Sequence, residues 1–305
     1  MLFRCMVGQI GFITCLIASL SIVAACSSAD GEQQNLPSMQ VPDDAAVRVM
    51  SFNIRYNTPD DGEDAWPNRK DMVAGVIQFH RADFAGLQEA LLEQIEDLET
   101  RLPDYEWFGV GRADGITEGE YTPIFYRPDR FELIEYDTFW LSETPEMPGS
   151  KSWDAAIERI ATWGIFRDLR TDNRFVLLNT HFDHIGQEAR QESAELILSR
   201  LDSISSELPT IVTGDFNTTP DTEPYRILTT SDSGLRDAFG ATEYPHYGPT
   251  STWSGFEGVT SDRRIDYVFV SDGVDVLRHG ILSETVNGRF PSDHLPVLAE
   301  ITLDQ

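Results

Sequence analysis

Several apolar segments of this chain carry a polar side chain at one tip, and that repeated pattern limits how the chain can fold. VRVMSFNIR gives out at Asn53 and GLQE at Glu89. FVLLNTHFD carries Asn179, His181 and Asp183 at alternate positions, TIVTGDFN carries Asp215 and Asn217, and in RIDYVFVS Asp266 interrupts an apolar run. Side chains two apart share one face of a strand, so Asn179, His181 and Asp183 are expected to point the same way, as are Asp215 and Asn217. A buried carboxylate without a partner is costly. A chain that repeats the arrangement this often is expected to bring the tips together, and a divalent cation with a bound oxyanion would offset the cost. Glu, Asp and Asn oxygens are hard ligands that suit magnesium or manganese rather than zinc.

Each tip also has a local reading. Asp215 before Asn217 can make a turn, and Glu89 can cap the helix that follows it. His181 can be a hydrogen-bonded core residue. Asp266 can pair with Arg263 or Arg264, and the SDH of PSDHLPV, with Asp293 and His294, can be a capped turn.

Between these tips strands alternate with helices. VRVMSFNIRY, DFAGLQE, TPIFYRP, FELIEYDTFWL, ATWGIFRDL, FVLLNTHFD, TIVTGDFN, RIDYVFVS and PVLAEITL read as strands. The spacing predicts helices over 68–80, 91–102 and 187–205, and a loop over 57–68. Strand-rich halves with helices between them predict a two-layer β core faced by helices. No linker interrupts 47–304, which is read as one catalytic domain.

The first 25 residues read as an export signal: Arg4, an apolar stretch from Met6 to Ala25, then small residues before Cys26. V-A-A-C resembles a bacterial lipobox, with Cys26 as the lipidated first residue of the mature protein. The alternative is a retained anchor, since about 20 apolar residues can span a bilayer. Residues 26–46 read as a flexible tether. All three cysteines, Cys5, Cys15 and Cys26, lie before residue 27, so no disulfide or thiolate metal site is expected in the folded part. Asp and Glu number 51 against 23 Lys and Arg, a net charge of −28. Such a surface repels polyanions, so tight non-specific nucleic-acid binding is not expected.

SFNIR, LQE, NTHFDH, TGDFN, RIDYVFVS and PSDHLPV, in that order, make the chain resemble the endonuclease/exonuclease/phosphatase superfamily over essentially all of 47–304. Within it, WPNRK (Trp66, Arg69, Lys70), FWLSETP and HFDHIGQEAR resemble bacterial members related to nocturnin-like deadenylases. Trp66 and Arg69 can equally form a packed corner. The resemblance implies the deoxyribonuclease I-like α+β fold, a four-layer α/β/β/α sandwich of two mixed β-sheets packed face to face and flanked by helices. It implies Asn53, Glu89 and Asp293 on the metal side, with Glu89 the main carboxylate and the metal Mg2+ or Mn2+. It implies His181 on a phosphate oxygen, Asp215 and Asn217 positioning water and phosphate, and Asp266 orienting a catalytic His294. Some members carry an acid two residues after the first-strand Asn, where this chain has Arg55. That departure weakens a base-removal repair reading and leaves the number of metals open.

The expected activity is hydrolysis of a phosphate ester by water, by a monomer exported as a membrane-anchored lipoprotein on the periplasmic or cell-surface face. A secreted nuclease, a sphingomyelinase-like phospholipase and an inactive binding lipoprotein are the alternatives. Whether His294 or Asp215 is the general base stays open, as does diester against monoester. Arg159 in AAIERIATW and Arg190 in GQEARQE are candidate phosphate contacts or surface arginines. Trp253 and Phe256 in TSTWSGFEG either stack on substrate or pack within their loop.

Overall fold

The computed structural model describes residues 46–205, 207–230 and 233–303. The export signal, Cys26 and nearly all of the tether lie outside the described residues. Among those described, no helix is long and apolar enough to cross a membrane.

The chain runs β1 (Val47–Asn53), α1 (Lys70–Phe79), β2 (Phe84–Gln88), α2 (Leu92–Arg101), β3 (Glu106–Phe108), β4 (Ile124–Tyr126), β5 (Phe131–Trp140), β6 (Ile160–Asp168) and β7 (Arg174–His181). It continues with α3 (Gln187–Ser205), β8 (Thr210–Asp215), α4 (Glu223–Thr229), β9 (Leu235–Asp237), α5 (Ala238–Ala241), β10 (Asp266–Ser271), β11 (Val274–Ile281) and β12 (Val297–Leu303). Two six-stranded mixed sheets result, in the orders β11-β12-β1-β2-β4-β3 and β5-β6-β7-β8-β10-β9. Each has one parallel pair at its centre, β1 with β2 and β7 with β8, joined through α1 and α3 respectively. The expected sandwich is borne out.

Alternation builds the layers. In β1, Val47 and Val49 face the second sheet, while Met50 and Phe52 face the cluster that α1 and α2 cover. In β7, Phe175 and Leu177 point inward, while Val176 and Leu178 lie under α3. The inner face is graded from one end to the other. Phe84, Phe131, Phe166 and Phe175 fill one end, Phe84 tilted or edge-on to the other three and Phe166 stacked on Phe175. The middle is a buried polar layer: Gln88 Nε2 donates to Asn179 Oδ1 at 2.7 Å, Thr213 Oγ1 donates to the same oxygen at 3.0 Å, and Asn179 Nδ2 donates to the Leu87 carbonyl at 2.7 Å. The sheets approach closely here, and a Cβ on Gly86 would lie 2.3 Å from Thr213 Oγ1. Beyond this layer come the charged tips.

Several expectations shift. The first strand stops at Asn53 because Arg55 takes a positive φ of 56°. The segment read as a loop over 57–68 contains two 3-10 turns, Pro59–Asp64 and Trp66–Asn68. Strands β3, β9 and β11 and helices α4 and α5 were not expected. WPNRK is the packed corner: Arg69 is buried, and its Nη1 donates to the carbonyls of Ile54 at 2.7 Å and Pro291 at 2.8 Å. Trp66 Nε1 and Lys70 Nζ both reach Asp97, at 3.0 and 2.9 Å.

Candidate active site

The inward face of β1 runs Val47, Val49, Ser51, Asn53, so the same alternation that fills the core ends on an amide. Asn53 Nδ2 donates to Glu89 Oε1 and to Asp215 Oδ2, both at 3.0 Å, and thereby joins the two sheets. Its Oδ1 accepts from the Arg55 N–H at 3.0 Å. Asn53 thus positions both carboxylates on the expected metal side. Glu89, one residue past β2, has φ 62°, and Asn217, two past β8, has φ 47°. Such backbones cost about 1–3 kcal/mol each and are characteristic of sites that aim side chains.

His181 ends β7, with Nε2 3.1 Å from Asn217 Nδ2 and 3.4 Å from Asp215 Oδ2. Burial, and then the nearby Arg159 and Arg112, push its pKa well below the ordinary histidine value, so its imidazole is neutral. Asp266 meets His294 rather than an arginine, with Oδ2 2.9 Å from Nδ1. Arg264 pairs instead with Asp237. His294 Nε2 lies 3.7 Å from Asp215 Oδ2. Burial opposes charge on His294, but the carboxylates of Asp266, Asp215 and Asp293 outweigh it and push the imidazole up to about 10. Burial first, then Asp266, pushes Asp215 up to about 6. The SDH turn is also capped: Ser292 Oγ accepts from the His294 N–H at 3.3 Å and donates to the Asn53 carbonyl at 2.7 Å.

Ligand atoms of Glu89, Asp215 and His294 all lie within 4.8 Å of one another. The two carboxylates at that spacing fit a hard divalent cation, while the His294 imidazole, pushed up to about 10, stands beside them as a proton donor rather than a ligand. Asp293 lines the same cavity outside this trio, where its charge faces Arg55 and Arg69. Asn53 and Asp293, the other residues of the expected metal side, adjoin this trio, Asn53 bonded to Glu89 and Asp215 and Asp293 lining the same cavity.

The cavity holds about 390 Å³ and is lined by charge of both signs. Arg159 lines it at 5% exposure, and its Nε and Nη1 have no hydrogen-bond partner among the described residues. Its Nη2 lies 3.2 Å from His184 Nδ1. Trp253 forms one wall, its ring edge-on to His294 at 4.8 Å between centroids and under the Arg263 guanidinium at 3.9 Å. Phe256 lies instead against Arg69. Arg190 is not brought to the cavity; its Nη1 donates to the Asp183 carbonyl at 2.9 Å. Asp183 lies past the end of β7 and departs from the face of Asn179 and His181. It accepts from the backbone N–H groups of Ala156, Ile157, Ile185 and Gly186.

Sequence reasoning missed Glu120, His184 and Arg263, which line the cavity, and Arg112, which chelates Glu120 at 2.7 and 2.8 Å. His184 adjoins a motif already singled out. Glu120 and Arg112 sit eight apart in an irregular loop, and no periodicity marks them.

Residues 50–294 match the Endonuclease/Exonuclease/phosphatase family. A solved endonuclease/exonuclease/phosphatase from Bacteroides vulgatus is 42% identical with a TM-score of 0.82, covering 85% of this chain and 99% of that one. A mannosyl-6-phosphatase from Bacteroides thetaiotaomicron is 38% identical with a TM-score of 0.80, covering 84% of this chain and all of that one. Human nocturnin is a more distant relative, 22% identical over 296 residues, a match that spans 85% of this chain and 66% of nocturnin. With a family match over most of its length and the buried acid and histidine tips gathered in one cavity, the chain belongs to the endonuclease/exonuclease/phosphatase family and is a hydrolase of phosphoester bonds.

Proposed function

We propose that the protein is a magnesium- or manganese-dependent phosphatase that hydrolyses a small phosphate monoester, a sugar phosphate above others. We place it outside the cytoplasm on a lipid anchor at Cys26. The observation that carries this reading is the meeting of Glu89, Asp215 and His294 in one cavity. The monoester choice rests on Arg159, whose unpaired buried N–H groups call for an anion. A diester brings one charge fewer to meet them. The sugar rests on the 38% identical mannosyl-6-phosphatase. The net charge of −28 argues against a polyanionic nuclease substrate. A merely binding lipoprotein has no use for the Asp266–His294 pair.

Glu89 would be the main holder of the cation, with Asp215 and His294 beside it, and the cation would supply Lewis-acid charge to a phosphoryl oxygen. The chain's own groups do the rest. Neutral His181 and Asn217, whose Nε2 and Nδ2 atoms pair with each other at 3.1 Å beside Asp215, are the side chains that would turn to the phosphoryl oxygens, a donor there being worth about 3 kcal/mol in the transition state. With its Nδ1 bonded to Asp266, His294 presents Nε2 beside Asp215 Oδ2. As water adds to phosphorus and the ester P–O bond breaks, Asp215 accepts the water proton and His294 gives one to the departing alkoxide.

The test is turnover of mannose 6-phosphate, glucose 6-phosphate and p-nitrophenyl phosphate by the purified chain, with and without chelator. Activity should vanish on chelation and return with Mg2+ or Mn2+. Glu89→Gln should lower the apparent metal affinity and the rate together, by about 10–100-fold. Asp266→Asn should lose about 10²–10⁴ in rate with an unchanged melting curve. Turnover that survives chelation would overturn the reading, as would unaltered metal dependence in Glu89→Gln.

A further inference from the structure

The opposite end of the sandwich carries a second polar cavity, of about 210 Å³. Arg48 and Asp83 stand at the starts of β1 and β2, whose far ends carry Asn53 and Glu89. Five residues of strand separate Arg48 from Asn53, about 17 Å at 3.3–3.4 Å per residue. Five arginines, Arg48, Arg81, Arg127, Arg130 and Arg170, line this cleft against two acids, Asp83 and Asp129.

The acids organise part of this charge. Arg130 Nη2 reaches Asp168 at 2.9 Å and its Nη1 reaches Asp83 at 3.3 Å, while Asp129 holds Arg127 at 2.9 and 3.0 Å. A remainder is left over. Arg130 is 3% exposed, yet its Nε has no hydrogen-bond partner. The exposed guanidinium groups of Arg81 and Arg170 make no ion pair or hydrogen bond among the described residues. A chain with a net charge of −28 has few cations to spend, and here it concentrates five around one cleft. Guanidinium forks match the geometry of phosphoryl oxygens better than that of any other common oxyanion except carboxylate.

We propose that this cleft is a second, non-catalytic site for a phosphoryl anion, either free phosphate or the headgroup of an anionic lipid. The lipid source has support in where the chain enters. The carbonyl of Ala46, the first described residue, accepts from Arg130 Nη1 at 2.7 Å, so a tether leading back to Cys26 joins the domain at this cleft.

The probes are inorganic phosphate and vesicles of phosphatidylcholine with or without phosphatidylglycerol, all with chelator present to silence turnover. The protein is the full chain, compared with and without the double substitution below. Calorimetry should find two classes of phosphate site in the wild type. In Arg81→Ala/Arg170→Ala one class should weaken at least tenfold, while metal-dependent turnover of p-nitrophenyl phosphate stays unchanged. Capture by phosphatidylglycerol vesicles that the double variant loses identifies the headgroup as the ligand. Loss of the phosphate class without vesicle capture identifies free phosphate. Unaltered phosphate stoichiometry and unaltered vesicle binding in the double variant overturn the proposal.

Discussion

At the scale of single residues, Arg159 is the most informative. A guanidinium at 5% exposure with two unmet nitrogens is costly in a resting protein. Its charge is balanced at a distance by Glu120, Glu89 and Asp215, and Arg112 opposes it. No carboxylate touches it, so its donors are open to substrate. A charge-assisted hydrogen bond is worth about 1.5–3 kcal/mol. Arg159→Ala is therefore expected to cut kcat/KM for p-nitrophenyl phosphate by about 10–150-fold. The loss for bis(p-nitrophenyl) phosphate should be clearly smaller. Arg159→Lys should restore little, because an ammonium lacks the planar fork. Equal losses on the two esters would remove the case for a monoester.

At the scale of elements, what the sequence disclosed follows from what alternation can carry. Asn53, His181, Asp215 and Asp266 were legible because each lies at one end of a strand whose inward face also carries apolar core residues. Glu89, Asn217 and the SDH turn were legible because they adjoin such tips. Strand β11 was not, since VDVLRHGI breaks alternation at the bulge between Val276 and Arg278 and is fixed by its pairing with β12. Glu120 and Arg112 were not, since a loop has no period. Nor could spacing show that the Asn53 amide turns its nitrogen to both carboxylates. Arg190, read as a phosphate contact or a surface arginine, bonds a local carbonyl, as a helical arginine near a motif readily does.

Strand β11 also makes a prediction of its own. His279 is buried beside His246, with the two Nδ1 atoms 2.9 Å apart. Burial, then His246 and Arg264, lower its pKa to about 3 from the ordinary 6.5. Between those values the unfolded chain holds a proton that the folded chain refuses, so stability falls as pH drops from 6.5 toward 3. At pH 5 the loss from this group is about 2 kcal/mol. Urea melts at pH 7 and pH 5 should show it, and His279→Gln should flatten the difference. An unchanged difference would place the acid sensitivity elsewhere.

At the scale of the whole molecule, two conditions shape behaviour. The first is charge. A net charge of −28 repels itself, and about 10 Å of Debye length at 0.1 M salt, against about 30 Å at 0.01 M, screens much of that. The melting temperature is expected to rise with sodium chloride from low to moderate ionic strength. A flat or falling curve would mean that local ion pairs outweigh the global field.

The second condition is connectivity. Strand β1 lies between β2 and β12, and Arg69 near the beginning of the domain grips the carbonyl of Pro291 near its end. A ribosome making this chain therefore releases the first strand's neighbour last. Until β12 emerges, His294 has no seat, and a partly synthesised molecule is chemically silent. Such a hydrolase becomes competent only once it is whole.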